Sequence, residues 1–197
     1  MINKEQILVV PVTYTSYIKN GFTGASSIST TRSYSLYDST GVYEPIYKIN
    51  NNICFIKISI ILLFKQNEKF LVKELYDITK KPCLEIGVNS YIKSSSGNYN
   101  ALQNQINNVL QFDLFIDPDT VKINFIGFIR DLTNNSVKST LGCIYYIDTT
   151  NISIQSSSDI YQYKWYTLRE LIDRYNKSTS WSRKITDCLI EKTIKID

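Results

Sequence analysis

The segment Ser90–Phe112 contains the side chains whose types and spacing come nearest to a reactive site. Its central part, Ala101–Leu110, reads Ala-Leu-Gln-Asn-Gln-Ile-Asn-Asn-Val-Leu, with amides where metal-dependent chemistry would require carboxylates. A hard divalent cation is bound by ionised carboxylate oxygens, whereas Asn and Gln offer only a neutral carbonyl dipole. We therefore expect a polar helix face that binds no metal, and we assign it no catalytic residue and no cofactor.

The amides of Gln105 and Asn108 have two interpretations. An amide-rich helix face is ordinarily a solvated surface, and asparagine is frequent elsewhere in the chain, as in Asn50–Asn52. We favour this interpretation. The alternative is that both amides contact a bound ligand, so both residues are kept as candidate ligand-binding residues.

Composition restricts the chemistry that the chain could perform. The 197 residues contain no histidine, which excludes serine triads, Cys-His pairs and zinc hydrolase sites in their histidine-dependent forms. The formal charge of +4 mildly favours an anionic partner but forms no dense basic stripe of the kind that binds nucleic acid. The four cysteines lie far apart without paired ligand spacing, which is typical of free thiols in a reducing compartment.

No segment of the sequence has the pattern of a membrane anchor or leader. The residues Met1–Gln6 lack the design of a signal peptide, and the longest apolar run, Ile58–Phe64, is too short to cross a bilayer. We expect a cytoplasmic protein with no membrane partner.

Hydrophobic periodicity predicts a single α+β domain over residues 1–197, in which helices sandwich a mixed or antiparallel sheet. A helix follows an N-cap at Asn98, a capping box opens a helix at Thr167, and Ser180 caps a last helix. A long loop or irregular hairpin fills Tyr14–Tyr43. The predicted strands are Gln6–Val12, Ile53–Phe64, Lys69–Leu75, Leu84–Ile92, Val121–Arg130 and Ser139–Ile147.

Several short segments, in their order and spacing, resemble the Nudix hydrolase superfamily, in particular its longer predicted-phosphoesterase branch. Ile7–Pro11 resembles that branch's opening strand, and Gly21–Gly24 resembles its Gly-Phe-x-Gly segment. Glu85–Ile92 is similar to its Ser-Ile-Gly-x-Gly-Gly-His-Ile strand. Further matches are Phe125–Asp131, Leu141–Tyr146, Trp165–Leu171 and Ser180–Ser182. The resemblance implies the Nudix fold over most of the chain.

The catalytic motif of that family is not kept here. Aligned without a gap, its metal-binding glutamates fall on Gln105, Asn108 and Val109, and the arginine that orients them falls on Asn104. The two apolar positions, Ile106 and Phe112, keep their character, so we expect both to face the core. The two histidines of the branch become Tyr91 and Thr140. The resemblance therefore implies the fold without implying hydrolysis.

The resemblance also selects candidate ligand-binding residues outside the helix. Tyr91, Lys93 and Arg130 lie on segments that line the cleft in the family, and Phe22 lies in the Gly-Phe-x-Gly segment. Lys73 belongs to a lysine-rich stretch that could neutralise a polyphosphate, although lysines near hairpin turns usually serve solubility and edge protection.

Three functions remain open from the sequence. The preferred one is a catalytically deficient protein that binds a nucleotide or phosphorylated metabolite, sensing or sequestering it, for instance in phage or mobile-element counter-defence. A second is an active hydrolase with metal ligands outside the motif, drawn from Glu85, Asp113, Asp117 and Asp119. A third is a partner-binding module without a small ligand. The oligomeric state is left open.

Overall fold

The computed structural model shows an α+β architecture in which helices cover both faces of a mixed sheet. It describes residues 5–15, 18, 20–24, 41–45, 49, 54–75, 83–96, 100–134, 138–149, 154, 161–194 and 196. The strands are β1 Gln6–Pro11, β2 Gly21–Gly24, β3 Val42–Pro45, β4 Phe55–Gln66, β5 Lys69–Leu75, β6 Cys83–Ile86, β7 Val88–Tyr91, β8 Ile123–Arg130, β9 Thr140–Asp148 and β10 Tyr161–Thr167. The helices are α1 Ala101–Asn108, α2 Leu168–Asp173 and α3 Ser180–Ile190.

The sheet runs in the order β10-β5-β4-β9-β8-β2, with β1 beside β4 and β3 beside β1. The pair β4 and β9 is parallel, and the other pairs formed by the described residues are antiparallel. Strands β6 and β7 fill the space where β5 and β4 diverge, because β6 pairs with β5 while β7 pairs with β4. This divergence opens the sheet at the point where a cleft forms.

Strand β4 explains why the sheet is covered on both sides. Ile60 and Leu62 pack in one cluster with Leu102 and Ile106 of α1. The alternate residues Ile61 and Leu63 pack in a second cluster with Trp181 and Ile185 of α3. A strand that is buried on both faces reads as a continuous apolar run, as this one does.

Several predicted elements are confirmed and others are corrected. The Thr167 capping box is present, with Glu170 reciprocating, and β4 and β5 form the expected hairpin around Asn67–Glu68. The predicted strand Leu84–Ile92 is instead two strands, because Gly87 adopts φ +73° where a Cβ would collide with the Leu62 carbonyl oxygen.

The ends of the helices differ from the predictions. Asn98 lies outside the described residues, and Asn100 occupies the N-cap position of α1 without a side-chain cap bond. Thr179, rather than Ser180, caps α3, because its hydroxyl accepts a hydrogen bond from the Ser182 amide.

The prediction that Phe112 faces the core is wrong. Residues Val109–Asp113 continue α1 as a single π-helical turn, which shifts the side chains that follow around the helix. Leu110 and Leu114 are consequently buried, and Phe112 is 64% exposed. Ile106, the other apolar position of the motif, is buried as predicted.

None of the helices in the described part of the chain has the length and apolar character needed to cross a membrane.

Candidate functional site

A cleft of about 300 Å³ lies where β4, β6 and β7 meet the beginning of α3. Its volume is at the lower end of the range of small-molecule sites in proteins. It is lined by Ser59, Glu85, Asn89, Ser90, Tyr91, Thr179, Ser180 and Trp181. Aromatic rings, hydroxyls, one amide and one carboxylate therefore surround the same space.

A hydrogen bond between Asn89 and Glu85 joins the two short strands at the cleft. Gly87 turns the chain between β6 and β7, and the Asn89 Nδ2 atom donates to the Glu85 Oε1 atom at 2.7 Å. A carboxylate can only accept, so the amide must present its nitrogen to Glu85. The Asn89 Oδ1 atom has no hydrogen-bond partner among the described residues.

Ser59 and Tyr91 lie opposite each other on β4 and β7. The Ser59 hydroxyl donates to the Ser90 carbonyl oxygen at 3.0 Å. The ammonium nitrogen of Lys57, two residues before Ser59, lies 5.8 Å from the centre of the Tyr91 ring. Lys57 is buried, and burial lowers the pKa of its ammonium group. A cation therefore lies beside the Tyr91 wall of the cleft.

Backbone and hydroxyl bonds fix the beginning of α3 against β6. The Thr179 amide donates to the Leu84 carbonyl oxygen at 2.9 Å, and the Ile86 amide donates to the Ser182 hydroxyl at 2.9 Å. Gly142 lies beneath this helix, where a Cβ would come within 2.6 Å of the Ile129 side chain and 2.7 Å of the Ile61 side chain and would be in ordinary contact with the Trp181 ring at 3.4 Å. Trp181 is 7% exposed and forms one end of the cleft.

Asp131 supports the same helix from the end of β8. Its Oδ1 atom accepts from the Thr133 hydroxyl at 2.7 Å and the Thr133 amide at 3.0 Å, and Lys184 lies 3.8 Å away. Burial opposes ionisation, but bonds from Thr133 and Ser180 and the charge of Lys184 hold the Asp131 pKa below its usual value. An ionised Asp131 therefore engages the Ser180 hydroxyl at the edge of the cleft.

Gln105 is buried, contrary to the interpretation of a solvated amide face. Its Oε1 atom accepts from the Ser96 hydroxyl at 2.6 Å and the Lys93 amide at 3.2 Å. Its Nε2 atom donates to the Ser90 hydroxyl at 3.1 Å. Gln105 therefore connects α1 to the segment that forms one wall of the cleft. Gln103 and Asn104 on the same helix are exposed, and Asn108 is half-buried.

Of the remaining candidate residues, one lines the cleft and four do not. Tyr91 lines it, and Lys73 pairs across the strands with Glu85. Lys93 forms an ion pair of 2.8 Å with Glu5, and its side chain is 46% exposed. Arg130 is buried and donates to the Thr15 carbonyl oxygen at 3.3 Å, and burial lowers its pKa. The remaining candidate, Phe22, packs against the cluster around Trp181.

Sequence reasoning did not place Ser59, Asn89 or Thr179 at a site. These residues come from three distant segments, and only the sheet topology brings them together. Trp181, which lies within the Ser180–Ser182 match, packs in the core and also lines the cleft.

Comparison with solved structures defines the fold. Tm1382, assigned as a Nudix hydrolase, superposes with a TM-score of 0.77 at 14% identity, covering 95% of this chain and 99% of that one. The chain has the Nudix fold. DR0079 from Deinococcus radiodurans gives a TM-score of 0.51 at 12% identity, covering 66% of this chain and 81% of that one. A Nudix hydrolase from Nitrosomonas europaea gives a TM-score of 0.50 at 9% identity, covering 72% of this chain and 97% of that one.

Sequence comparison is less sensitive at this divergence. No protein-family model matches the chain, and no curated protein matches it either.

The residues at the Nudix metal positions do not fit a divalent cation. The Gln105 oxygen already accepts two hydrogen bonds, and Val109 is a buried residue without a donor atom in its side chain. The Asn104 amide, at the position of the orienting arginine, donates to the Ser96 carbonyl oxygen at 2.8 Å. Among the described residues, no group of three or more Asp, Glu, Cys or His side chains is placed to hold a metal.

Proposed function

We propose that this Nudix-fold protein binds a nucleotide or a related phosphorylated metabolite without hydrolysing it. The proposal treats residues 1–197 as one domain with one ligand site, in the cleft between β7 and α3. Binding without turnover allows a protein to sense or to sequester its ligand.

The observation that carries the proposal is that the Gln105 amide makes structural hydrogen bonds. At the position of a metal-binding glutamate, its amide holds Ser90, Ser96 and Lys93 together through three hydrogen bonds. The same atoms cannot coordinate Mg²⁺ without breaking those bonds. A bound metal normally lowers the pKa of water and offsets phosphate charge, and this position supplies neither effect. The cleft beside it nevertheless stays open.

Charge around the cleft supports a ligand with an anionic part. The Lys57 ammonium nitrogen lies 5.8 Å from the centre of the Tyr91 ring, whereas the Lys73 ammonium nitrogen lies 4.2 Å from the centre of the Tyr161 ring and Lys73 does not line the cleft. Amides in place of the Nudix glutamates also remove charges that would repel phosphate in the absence of metal. Electrostatics therefore favour phosphate at the edge of the cleft and not at its Glu85 wall.

The hydrolase alternative has weaker support. Glu85 is bonded to Asn89, while Asp113, Asp117 and Asp119 are exposed. Asp117 uses its carboxylate to accept from the Asp119 amide, which caps a short turn. These positions favour local structural roles for the aspartates.

We also propose that the protein acts in the cytoplasm, in a phage or mobile-element counter-defence setting. The support is compositional: the chain is rich in Asn, Ile, Lys and Tyr and diverges strongly from its structural neighbours.

The first test identifies the ligand that the protein carries. Denaturation of the freshly purified protein is expected to release a phosphorylated small molecule, which mass spectrometry then identifies. A thermal-shift panel of nucleotides, with Mg²⁺ or with a chelator, should then show stabilisation that grows with ligand concentration. Tyr91→Ala should weaken the effect, and the exposed-residue control Phe115→Ala should not. Absence of stabilisation by the whole panel would refute the proposal and favour the partner-binding module.

A further inference from the structure

We propose that the cleft recognises the guanine base of its nucleotide, with the Glu85 carboxylate accepting hydrogen bonds from the N1–H and amino groups of the base. This inference rests on the proposed function and specifies which part of the ligand enters the cleft. It assigns Glu85 a specificity role, with Asn89 as a positioning residue.

The lining of the cleft carries a negative charge at one wall. Glu85 is the one charged side chain among the eight described residues that line the cleft. The Asn89 amide holds its Oε1 atom at 2.7 Å and so orients the carboxylate plane. A phosphate group placed against this wall would be repelled. The portion of the ligand that faces Glu85 must therefore be neutral or cationic and must donate hydrogen bonds.

The hydroxyl groups that line the cleft are bonded within the protein. Ser59 donates to the Ser90 carbonyl oxygen, and Ser180 bonds to Asp131. The Thr179 hydroxyl shares a hydrogen bond of 2.7 Å with Ser182, and Ser90 accepts from Gln105. These hydroxyls are engaged by the protein itself. The buried polar atoms of the described lining residues that have no partner are the Asn89 Oδ1 acceptor and the Trp181 Nε1 donor. Together with the Glu85 carboxylate they make the cleft richer in acceptors than in donors, which favours ligands rich in donors.

The purine bases differ in the hydrogen-bonding groups along their edges. Guanine presents two adjacent donors, the N1–H and the amino group, which match the two oxygens of one carboxylate. Adenine presents an amino donor beside the N1 acceptor, and that acceptor would face carboxylate charge. Hypoxanthine keeps the N1–H but lacks the amino group. Hydrogen bonds to a charged acceptor are the stronger class, so each missing donor should reduce affinity about tenfold or more.

The aromatic and cationic side chains around the cleft favour a base over a simple ammonium ligand. Tyr91 and Trp181 present aromatic surface to the cleft, on which a flat base can stack. The Lys57 ammonium nitrogen lies 5.8 Å from the centre of the Tyr91 ring and would repel a further positive charge. It instead favours a ligand that joins a neutral base to an anionic phosphate.

The test compares guanosine, inosine and adenosine, and then their 5′-monophosphates, by isothermal titration of the full chain without metal. We expect guanosine to bind at least about tenfold more tightly than inosine or adenosine, because the discrimination comes from the base. In Glu85→Gln the preference for guanosine over inosine should fall to less than about threefold. Glu68→Gln is the matched control, because Glu68 lies in the β4–β5 turn with its side chain 86% exposed.

The outcomes separate the two proposals. Equal binding of the three bases, preference for adenosine, or tighter binding of a diamine than of guanosine would overturn the guanine assignment and leave nucleotide binding intact. A guanosine preference that survives in folded Glu85→Gln would overturn the role of Glu85. If Glu85→Gln does not fold, the comparison of bases on the native chain still decides the assignment. Failure of every nucleoside and nucleotide to bind would overturn the proposed function as well.

Discussion

The Gln105 side-chain oxygen accepts a 2.6 Å hydrogen bond from the Ser96 hydroxyl, at the position where the Nudix motif carries a metal-binding glutamate. The same amide donates to Ser90 from its nitrogen. A glutamate could accept from Ser96 but could not donate to Ser90 in its ionised form. The amide therefore has a structural use of its own at this position.

Replacing Gln105 with alanine should destabilise the protein by about 2–3 kcal/mol, because the change leaves buried partners on two segments without their bonds. Urea denaturation measures this loss as a lower midpoint concentration, while the dependence of the unfolding free energy on urea concentration stays unchanged. Gln103→Ala is the control, since Gln103 is exposed and bonds only to the neighbouring Asn107 side chain among the described residues. Equal, small effects in both variants would show that the Gln105 bonds contribute little.

Asn108→Ala should change stability by less than about 0.5 kcal/mol, which is typical of a polar helix position with no buried hydrogen bond. Asn108 is half-buried on the last turn of α1. Denaturant unfolding of this variant measures its free energy of unfolding, which is to be compared with that of Gln105→Ala on the same helix. A loss above about 2 kcal/mol would indicate that Asn108 is bonded as Gln105 is.

The sheet and most of its strands could be predicted because their hydrophobic patterns are local. The apolar run of β4 predicts a buried strand, and the Thr167 capping box predicts the beginning of a helix, each from a few consecutive residues. Strand β10 was missed, although Tyr161, Tyr163 and Trp165 alternate with polar Gln162 and Lys164 as a strand requires.

The site was harder to predict because its geometry depends on distant segments. Glutamine is usually a surface residue, so the sequence alone suggests that Gln105 is exposed. Its buried position becomes evident only in the fold, where Ser90 and Ser96 lie close enough to bond its amide. The exposure of Phe112 depends on one π-helical turn, which adds a residue without a recognisable sequence signal. Tyr91 was found because it replaces a histidine of the family motif that Glu85–Ile92 resembles.

Gly142→Ala should destabilise the protein by about 1–3 kcal/mol through overpacking. A Cβ on Gly142 would lie 2.6 Å from the Ile129 side chain and 2.7 Å from that of Ile61, under the Trp181 ring. Thermal unfolding should show the loss, together with altered tryptophan fluorescence if Trp181 is displaced. Unchanged stability and fluorescence would contradict the tight packing of α3 on β9.

The Asp131 carboxylate should make stability depend on acid pH. Its pKa is lowered in the folded protein, so its contribution is fully present above the unfolded value of 3.8 and is lost as pH falls through the folded value. Asp131→Asn should be less stable than the native protein at neutral pH, and the difference should shrink below about pH 4. Urea unfolding of both proteins across this range measures it. A difference that is constant with pH would contradict an ionised Asp131.

The central claim is nucleotide binding without metal and without turnover. Isothermal titration of the identified nucleotide in excess chelator, followed by ³¹P NMR of the same sample after addition of Mg²⁺ or Mn²⁺, tests both parts. We predict saturable binding in chelator, an affinity changed less than about threefold by Mg²⁺, and an unchanged phosphorus spectrum. Metal-dependent cleavage that chelation abolishes, and that stays with the protein through a second, independent purification, would contradict the account.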